Sequence, residues 1–147
     1  MHVLIVDDEI PVATLLAEAV EKQGHEVTVA HGGAEALALW KKRRPDAVFL
    51  DLRMPRMSGL DVLRAIRNAD ADLEVVIITG HASPKEREAA QRLGVTDVVE
   101  KPLCLNRLSE ALAGLAHPEG AARSRRVGAG RRLERSLLPG APSPARR

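Results

Sequence analysis

Along the first 117 positions, short apolar runs alternate with stretches in which apolar residues recur three and four apart. Residues 3–6, 26–30, 47–50, 74–78 and 97–99 are the strand candidates. Most are nearly continuous and rich in Val and Ile, the mark of strands buried on both faces. The intervening stretches predict helices. Val12, Leu15, Leu16, Ala19 and Val20 make the first stripe, with Pro11 in its first turn and Gly24 as terminator. Ala36, Leu37, Leu39 and Trp40 make the second, stopped before Pro45, and Leu60, Leu63 and Ile66 follow Ser58, a good N-cap. Ser83-Pro84-Lys85-Glu86 is a capping-box pattern with proline at the first helical position, and Gly94 closes that helix. Leu105, Leu108, Leu112 and Leu115 form the last stripe. Five β-then-α units imply an α/β fold, a (βα)5 doubly wound parallel sheet with helices on both faces and right-handed crossovers.

From about His117 the pattern stops. Residues 118–147 hold four of the nine prolines, four of the eleven glycines and eight arginines. The expected organisation is one domain over 1–117 and a basic Arg/Pro/Gly-rich tail over 118–147, mostly disordered. Residues 131–138 carry enough pattern for two turns of helix, too short to be stable alone. Charge divides at the same place. Residues 1–117 carry 14 Lys and Arg against 18 Asp and Glu, a net of −4, whereas the tail carries 8 arginines against Glu119 and Glu134, a net of +6. The pI near 9.0 belongs to the tail, so it does not describe a basic nucleic-acid-binding domain.

Composition otherwise excludes more than it assigns. At 147 residues there is room for one ordinary domain with a full core. No apolar run approaches the roughly 18 residues needed to span a bilayer, and the first residues carry no secretory pattern. The single cysteine, Cys104, excludes an internal disulfide and fits a reducing cytosol. In its apolar setting it reads as a buried, inert thiol. The expected location is the cytoplasm.

The chemistry lies at the strand ends. Asp7 and Asp8 close the first apolar run and Asp51 closes the third. Crowded carboxylates repel and resist ionising, and a hard divalent cation relieves them. In a doubly wound sheet, ligands bind beyond the carboxyl ends of the strands where the winding reverses. For a flavodoxin-like order 2-1-3-4-5 that point lies between strands 1 and 3, so the three carboxylates converge there. The neighbouring strands end at Thr79-Gly80 and Glu100-Lys101-Pro102. Asp8, with Asp7, Asp51 and a backbone carbonyl at Arg53, can hold magnesium (or manganese), which shares its coordination with phosphate oxygens. Asp51 can then attack phosphorus, as carboxylates do in aspartyl-phosphate chemistry. Lys101 would neutralise the transferring group, and Thr79 offers a hydroxyl to one of its oxygens.

The segments VLIVDDE, VFLDLRMPRMSGLDVL, VVIITGHA and DVVEKPL resemble the signature segments of CheY-like response-regulator receiver domains. The resemblance covers about residues 1–116. It implies Asp51 as phosphoacceptor, Asp7 and Asp8 as the acidic metal pocket, Thr79 as the switch hydroxyl, and Lys101 as the phosphoryl contact, followed by a cis bond to Pro102. It also implies a histidine kinase or histidine phosphotransfer protein as donor and a downstream effector protein as partner. A homodimer would use the face of helix 4, strand 5 and helix 5. At one place the sequence departs from the family. Such receivers carry Tyr or Phe three residues before the lysine, where this chain has Val98, and valine has no ring to turn inward when the threonine moves. His81 resembles a variable position that tunes hydrolysis of the aspartyl phosphate, and it and Arg53 are expected to influence phosphoryl lifetime.

Singly, each motif has an ordinary explanation: Asp-Asp as a solvated helix start, Thr-Gly as a turn, Lys-Pro as loop. Only their joint placement at strand ends carries the functional reading. His2, His25, His31 and His117 lack metal-ligand spacing and read as surface residues, and Met54, Pro55 and Met57 as a loop beside the site. Gly32-Gly33 lacks the phosphate-binding glycine patterns. A phosphatase of the haloacid dehalogenase type would want Asp-x-Asp after strand 1, where this chain has Asp7-Asp8-Glu9. A DNA-binding module does not fit in the 30 residues after 117, and the tail has no aromatic residue on which to stack bases, so sequence-specific DNA binding is not expected. The reading is a stand-alone receiver that catalyses only its own phosphorylation and dephosphorylation. The alternative is the receiver fragment of a longer transcriptional regulator.

Overall fold

The computed structural model describes residues 1–115. The expected tail, with its disorder and its helical turns, and His117 lie outside the described residues. In chain order the elements are β1 (His2–Val6), α1 (Ile10–Lys22), β2 (Glu26–Ala30), α2 (Gly33–Lys42), β3 (Ala47–Leu50), α3 (Gly59–Ala69), β4 (Glu74–Thr79), α4 (Pro84–Arg92), β5 (Asp97–Glu100) and α5 (Leu105–Leu115). All strand pairs are parallel, in the order β2-β1-β3-β4-β5, so the expected α/β sheet and its strand order are found.

Because successive side chains of a strand point to opposite faces, the continuous apolar runs split into two cores. Leu4, Val6, Val48, Leu50, Val75 and Ile77 pack with Ala36 of α2, Val62, Leu63 and Ile66 of α3, and Ala90 of α4. Val3, Ile5, Ala47, Phe49, Val76 and Ile78 pack with Ala13, Leu16 and Val20 of α1 and with Leu108, Leu112 and Leu115 of α5. The central strands β1, β3 and β4 are therefore nearly continuous in apolar residues because both their faces are covered.

The helix starts follow their predicted caps. Ser58 and Ser83 each accept from the backbone N–H three residues on, and Asp61 and Glu86 answer with their carboxylates to the N-cap N–H. Gly94 ends α4 at φ +73°, where a side chain would be strained. Val98 is half-buried and packs against the α2–α4 core.

Four expectations need correction. Leu15 and Leu105, read as core, are 69% and 67% exposed, because the buried face of α1 is centred on Ala13, Leu16 and Val20 and that of α5 begins at Leu108. Both leucines line a cavity of about 730 Å³ between α1 and the β5–α5 connection. Cys104 is exposed rather than buried, because the turn after Lys101-Pro102 leaves it ahead of the first helical residue, Leu105. His2 is buried: β1 begins at this residue, and its Nε2 shares a 2.7 Å hydrogen bond with Thr28 Oγ1 on β2. His25 is half-buried, while His31 is exposed as expected.

Candidate functional site

The register pairs Val6 with Leu50, so β1 and β3 finish side by side and their next residues are Asp7 and Asp51. The Asp51 N–H donates to the Val6 carbonyl at 2.9 Å, extending that ladder by one bond. Asp7 and Asp51 are 2% and 3% exposed. Carboxylate oxygens of Asp7, Asp8 and Asp51 all lie within 4.8 Å of one another. Three carboxylates in so small and dry a space repel strongly unless a cation intervenes.

One cation comes from 94 residues along the chain. Lys101 Nζ donates to Asp7 Oδ2 at 2.8 Å, reaches Glu9 Oε1 at 3.3 Å and lies 3.5 Å from Asp51 Oδ2. Burial pulls the Lys101 ammonium downward, but the hydrogen bond to Asp7 and the charges of Asp51 and Asp7 outweigh it and raise the pKa above the ordinary lysine value. The Asp51 pKa is raised too, which for a carboxyl disfavours the charged form. Burial raises its carboxyl above the usual carboxylate range, Asp7 adds to the rise, and the Arg53 N–H and Lys101 oppose it without cancelling it.

The donor set fits a second cation. Asp8 Oδ1 is buried without a hydrogen-bond partner, an arrangement that is costly for a polar atom unless something binds it. Clustered carboxylate oxygens are the ligands that magnesium and calcium take.

The loop after β3 completes the wall. The Arg53 N–H donates to Asp51 Oδ1 at 3.2 Å, and the Arg53 guanidinium reaches Glu86 Oε1 at 2.8 Å. Gly59, first residue of α3, lies against the backbone of β3's end: a Cβ there would sit 2.2 Å from the Asp51 carbonyl oxygen. Met57 packs on Gly33 and Met54 is buried, so this segment is a loop beside the site as expected. Thr79, the end of β4, is fully buried. Its carbonyl accepts from the Lys101 N–H at 2.8 Å, and its hydroxyl donates to the His81 carbonyl at 3.2 Å rather than to an aspartate. The Lys101–Pro102 bond is cis.

Asp7, Asp8, Asp51 and Lys101 thus come together with the Arg53 N–H, the group of that residue that reaches the cluster, and Thr79 lies beside them. Sequence reasoning passed over two residues. Glu9 follows Asp7-Asp8 directly and could have been found from that adjacency. Glu86 is visible in the sequence only as a capping residue.

Comparison with known proteins agrees with this architecture. The chain is 38% identical over 127 residues to the response regulator MprA of Mycobacterium bovis, which covers 84% of this chain and 55% of that protein. The homologous regulator of Mycobacterium avium is 38% identical over 115 residues, half of its length. The chain therefore spans about half the length of the curated relatives it matches. Among solved structures, the receiver domain of NtrX from Brucella abortus superposes with a TM-score of 0.72 at 36% identity, covering 78% of this chain and 98% of that one. The chemotaxis protein CheY4 of Vibrio cholerae superposes with a TM-score of 0.73 at 29% identity, covering 78% and 97%. The response regulator receiver domain family matches residues 3–113, nearly the whole described fold, and this chain belongs to it.

Proposed function

We propose that Asp51 accepts a phosphoryl group and that the modified domain signals through changed protein contacts. The observation that carries this reading is the Lys101 ammonium bridging Asp7 at 2.8 Å and Asp51 at 3.5 Å beside an unpartnered Asp8 oxygen. Such a site has a nucleophile, a fixed cation and an unsatisfied oxygen to offer a second.

The donor is a phosphohistidine on a histidine kinase or histidine phosphotransfer protein. An Asp51 carboxylate oxygen forms the new bond to phosphorus as the phosphorus–nitrogen bond breaks, and the imidazole leaves with the bonding electron pair. Attack requires an ionised Asp51, which burial disfavours and Lys101 supports. Lys101 then lies within reach of the phosphoryl oxygens, and the Thr79 hydroxyl can leave the His81 carbonyl to meet one of them. Magnesium or manganese, held by Asp7, Asp8, Asp51 and the Arg53 carbonyl, would neutralise developing charge on the phosphoryl oxygens. The remaining catalysis is positioning.

The partners follow from this role: the phosphodonor protein, an effector that distinguishes the two states, and a second copy meeting the face of α4, β5 and α5. No helix among the described residues is long and apolar enough to cross a membrane, and we place the protein in the cytoplasm. It acts as a signalling module, with turnover confined to its own aspartyl phosphate.

Labelling by acetyl phosphate with magnesium tests the reading. Wild-type protein should gain a base-labile phosphoryl group, and Asp51→Asn should lose it entirely. Undiminished labelling of the variant would overturn the assignment. A second reading, that this receiver is part of a longer regulator, is favoured by its covering only 55% of the MprA sequence.

A further inference from the structure

Arg53 lies two residues after Asp51 in the loop that forms one wall of the pocket, and its backbone N–H already touches the Asp51 carboxylate. Its side chain does not join the acidic cluster, where Lys101 pairs with Asp7, Glu9 and Asp51. The guanidinium turns instead to Glu86 in the first turn of α4, 33 residues on, at 2.8 Å, and its Nε points at the His81 carbonyl at a long 3.4 Å.

The two partners are not equally fixed. Glu86 Oε1 also accepts the Ser83 N–H at 2.9 Å, and the Glu86 N–H donates to Ser83 Oγ at 3.1 Å. The carboxylate is therefore anchored by its capping box, and its side chain is 23% exposed. The Arg53 side chain is 55% exposed and stands on a loop. Of the two, Arg53 is the one that can leave. A capping box needs only an oxygen at this position and takes Gln as well as Glu. Arg53 is the side chain that forms an ion pair with this carboxylate.

Exposed ion pairs shift an equilibrium by no more than about fivefold. A phosphoryl group offers a guanidinium more charge and a bidentate oxygen edge. We propose that Glu86 is a positioning residue for phosphoryl chemistry at Asp51, holding the Arg53 guanidinium away from the acceptor until an incoming phosphoryl group draws it across. This rests on Asp51 being the acceptor. It also connects the site to the start of α4 by charge, along a path that does not use Val98.

The test is the rate of labelling by acetyl phosphate and magnesium in Glu86→Gln, which keeps the cap and removes the charge. Freed Arg53 should speed phosphorylation about two- to fivefold, and the same substitution made in Arg53→Ala protein should change nothing. An unchanged rate in Glu86→Gln, or a change that persists undiminished without Arg53, would show that Glu86 does not act this way. The Arg53 Nη2 protons, which face Glu86, give a readout independent of phosphorylation: they should be protected from solvent exchange in the wild type and lose protection in Glu86→Gln. Equal protection in the two proteins overturns the proposal. Labelling of Asp51→Asn at the wild-type rate would instead bring down the acceptor assignment, and this inference with it.

Discussion

Asp51 is held at odds with its ionised form. The side chain proposed to attack phosphorus as an anion is 3% exposed and shares its space with two more carboxylates. Its pKa is raised in the fold, chiefly by burial, so the native state favours the protonated form more than the unfolded chain does. The stability that Asp51 contributes is then fully present below the unfolded carboxylate value and is lost as pH rises through the higher folded value. Asp51→Asn cannot ionise and escapes this loss. In EDTA at pH 7 the variant is expected to melt above the wild type, and the gap should close as pH falls below the unfolded carboxylate value. Magnesium should narrow the gap at pH 7 by stabilising only the wild-type carboxylate set. Thermal melts across pH check this, and a variant that melts lower than wild type at pH 7 in EDTA contradicts it. Lys101 works in the opposite sense: its raised pKa keeps it charged at neutral pH, and its contribution fades only as pH climbs through that raised value. Site residues at strand ends were legible in the sequence because each closes an apolar run. The Arg53–Glu86 pair was not, since a side-chain contact between a loop and the first turn of a helix 33 residues on leaves no periodic trace.

Among the elements, α3 shows how the fold positions Asp51. Its N-terminus is capped by Ser58, and its first residue, Gly59, donates to the Leu52 carbonyl at 3.1 Å. That approach brings the helix start against the backbone of Asp51 and Leu52. A Cβ at residue 59 would meet the Asp51 carbonyl oxygen at 2.2 Å and Leu52 Cα at 2.7 Å, and backbone atoms cannot swing aside as a side chain can. Gly59→Ala should therefore cost about 1–3 kcal/mol by urea unfolding and slow phosphorylation through displacement of Asp51. A stability within error of the wild type would show that the helix start can shift freely. The caps of α3 and α4 were readable from Ser58 and from Ser83 with Glu86. The stripes were readable only to within one edge. In α1 the period located the apolar sector, but Ala13 lies at its buried centre while Leu15 stands 69% exposed, a difference that depends on how the helix is rolled on the sheet. His2 was misjudged for a related reason, since a polar residue at a strand's start is buried or not according to its cross-strand neighbour, here Thr28.

At the scale of the molecule, the strand order does the assembling. Placing β1 next to β3, with β4 and β5 beyond, gathers residues 7, 8, 51, 79 and 101 at one sheet edge. The order was inferable because alternating β and α units admit few topologies, and with it came most of the site. What the sequence could not supply was the extent of the natural protein. If this receiver belongs to a longer regulator, an antibody raised against residues 1–115 should detect a cellular species well above the 15.9 kDa of this chain, given that the aligned residues make up 55% of the relative. A sole species at 15.9 kDa would favour the stand-alone form. The misread thiol has a practical consequence of its own. Cys104 is the chain's one cysteine, exposed, three residues past Lys101 and at the rim of the cavity between α1 and the β5–α5 connection. The protein therefore brings its own attachment point for a single fluorophore, without engineering, on the segment that leads from Lys101 into α5.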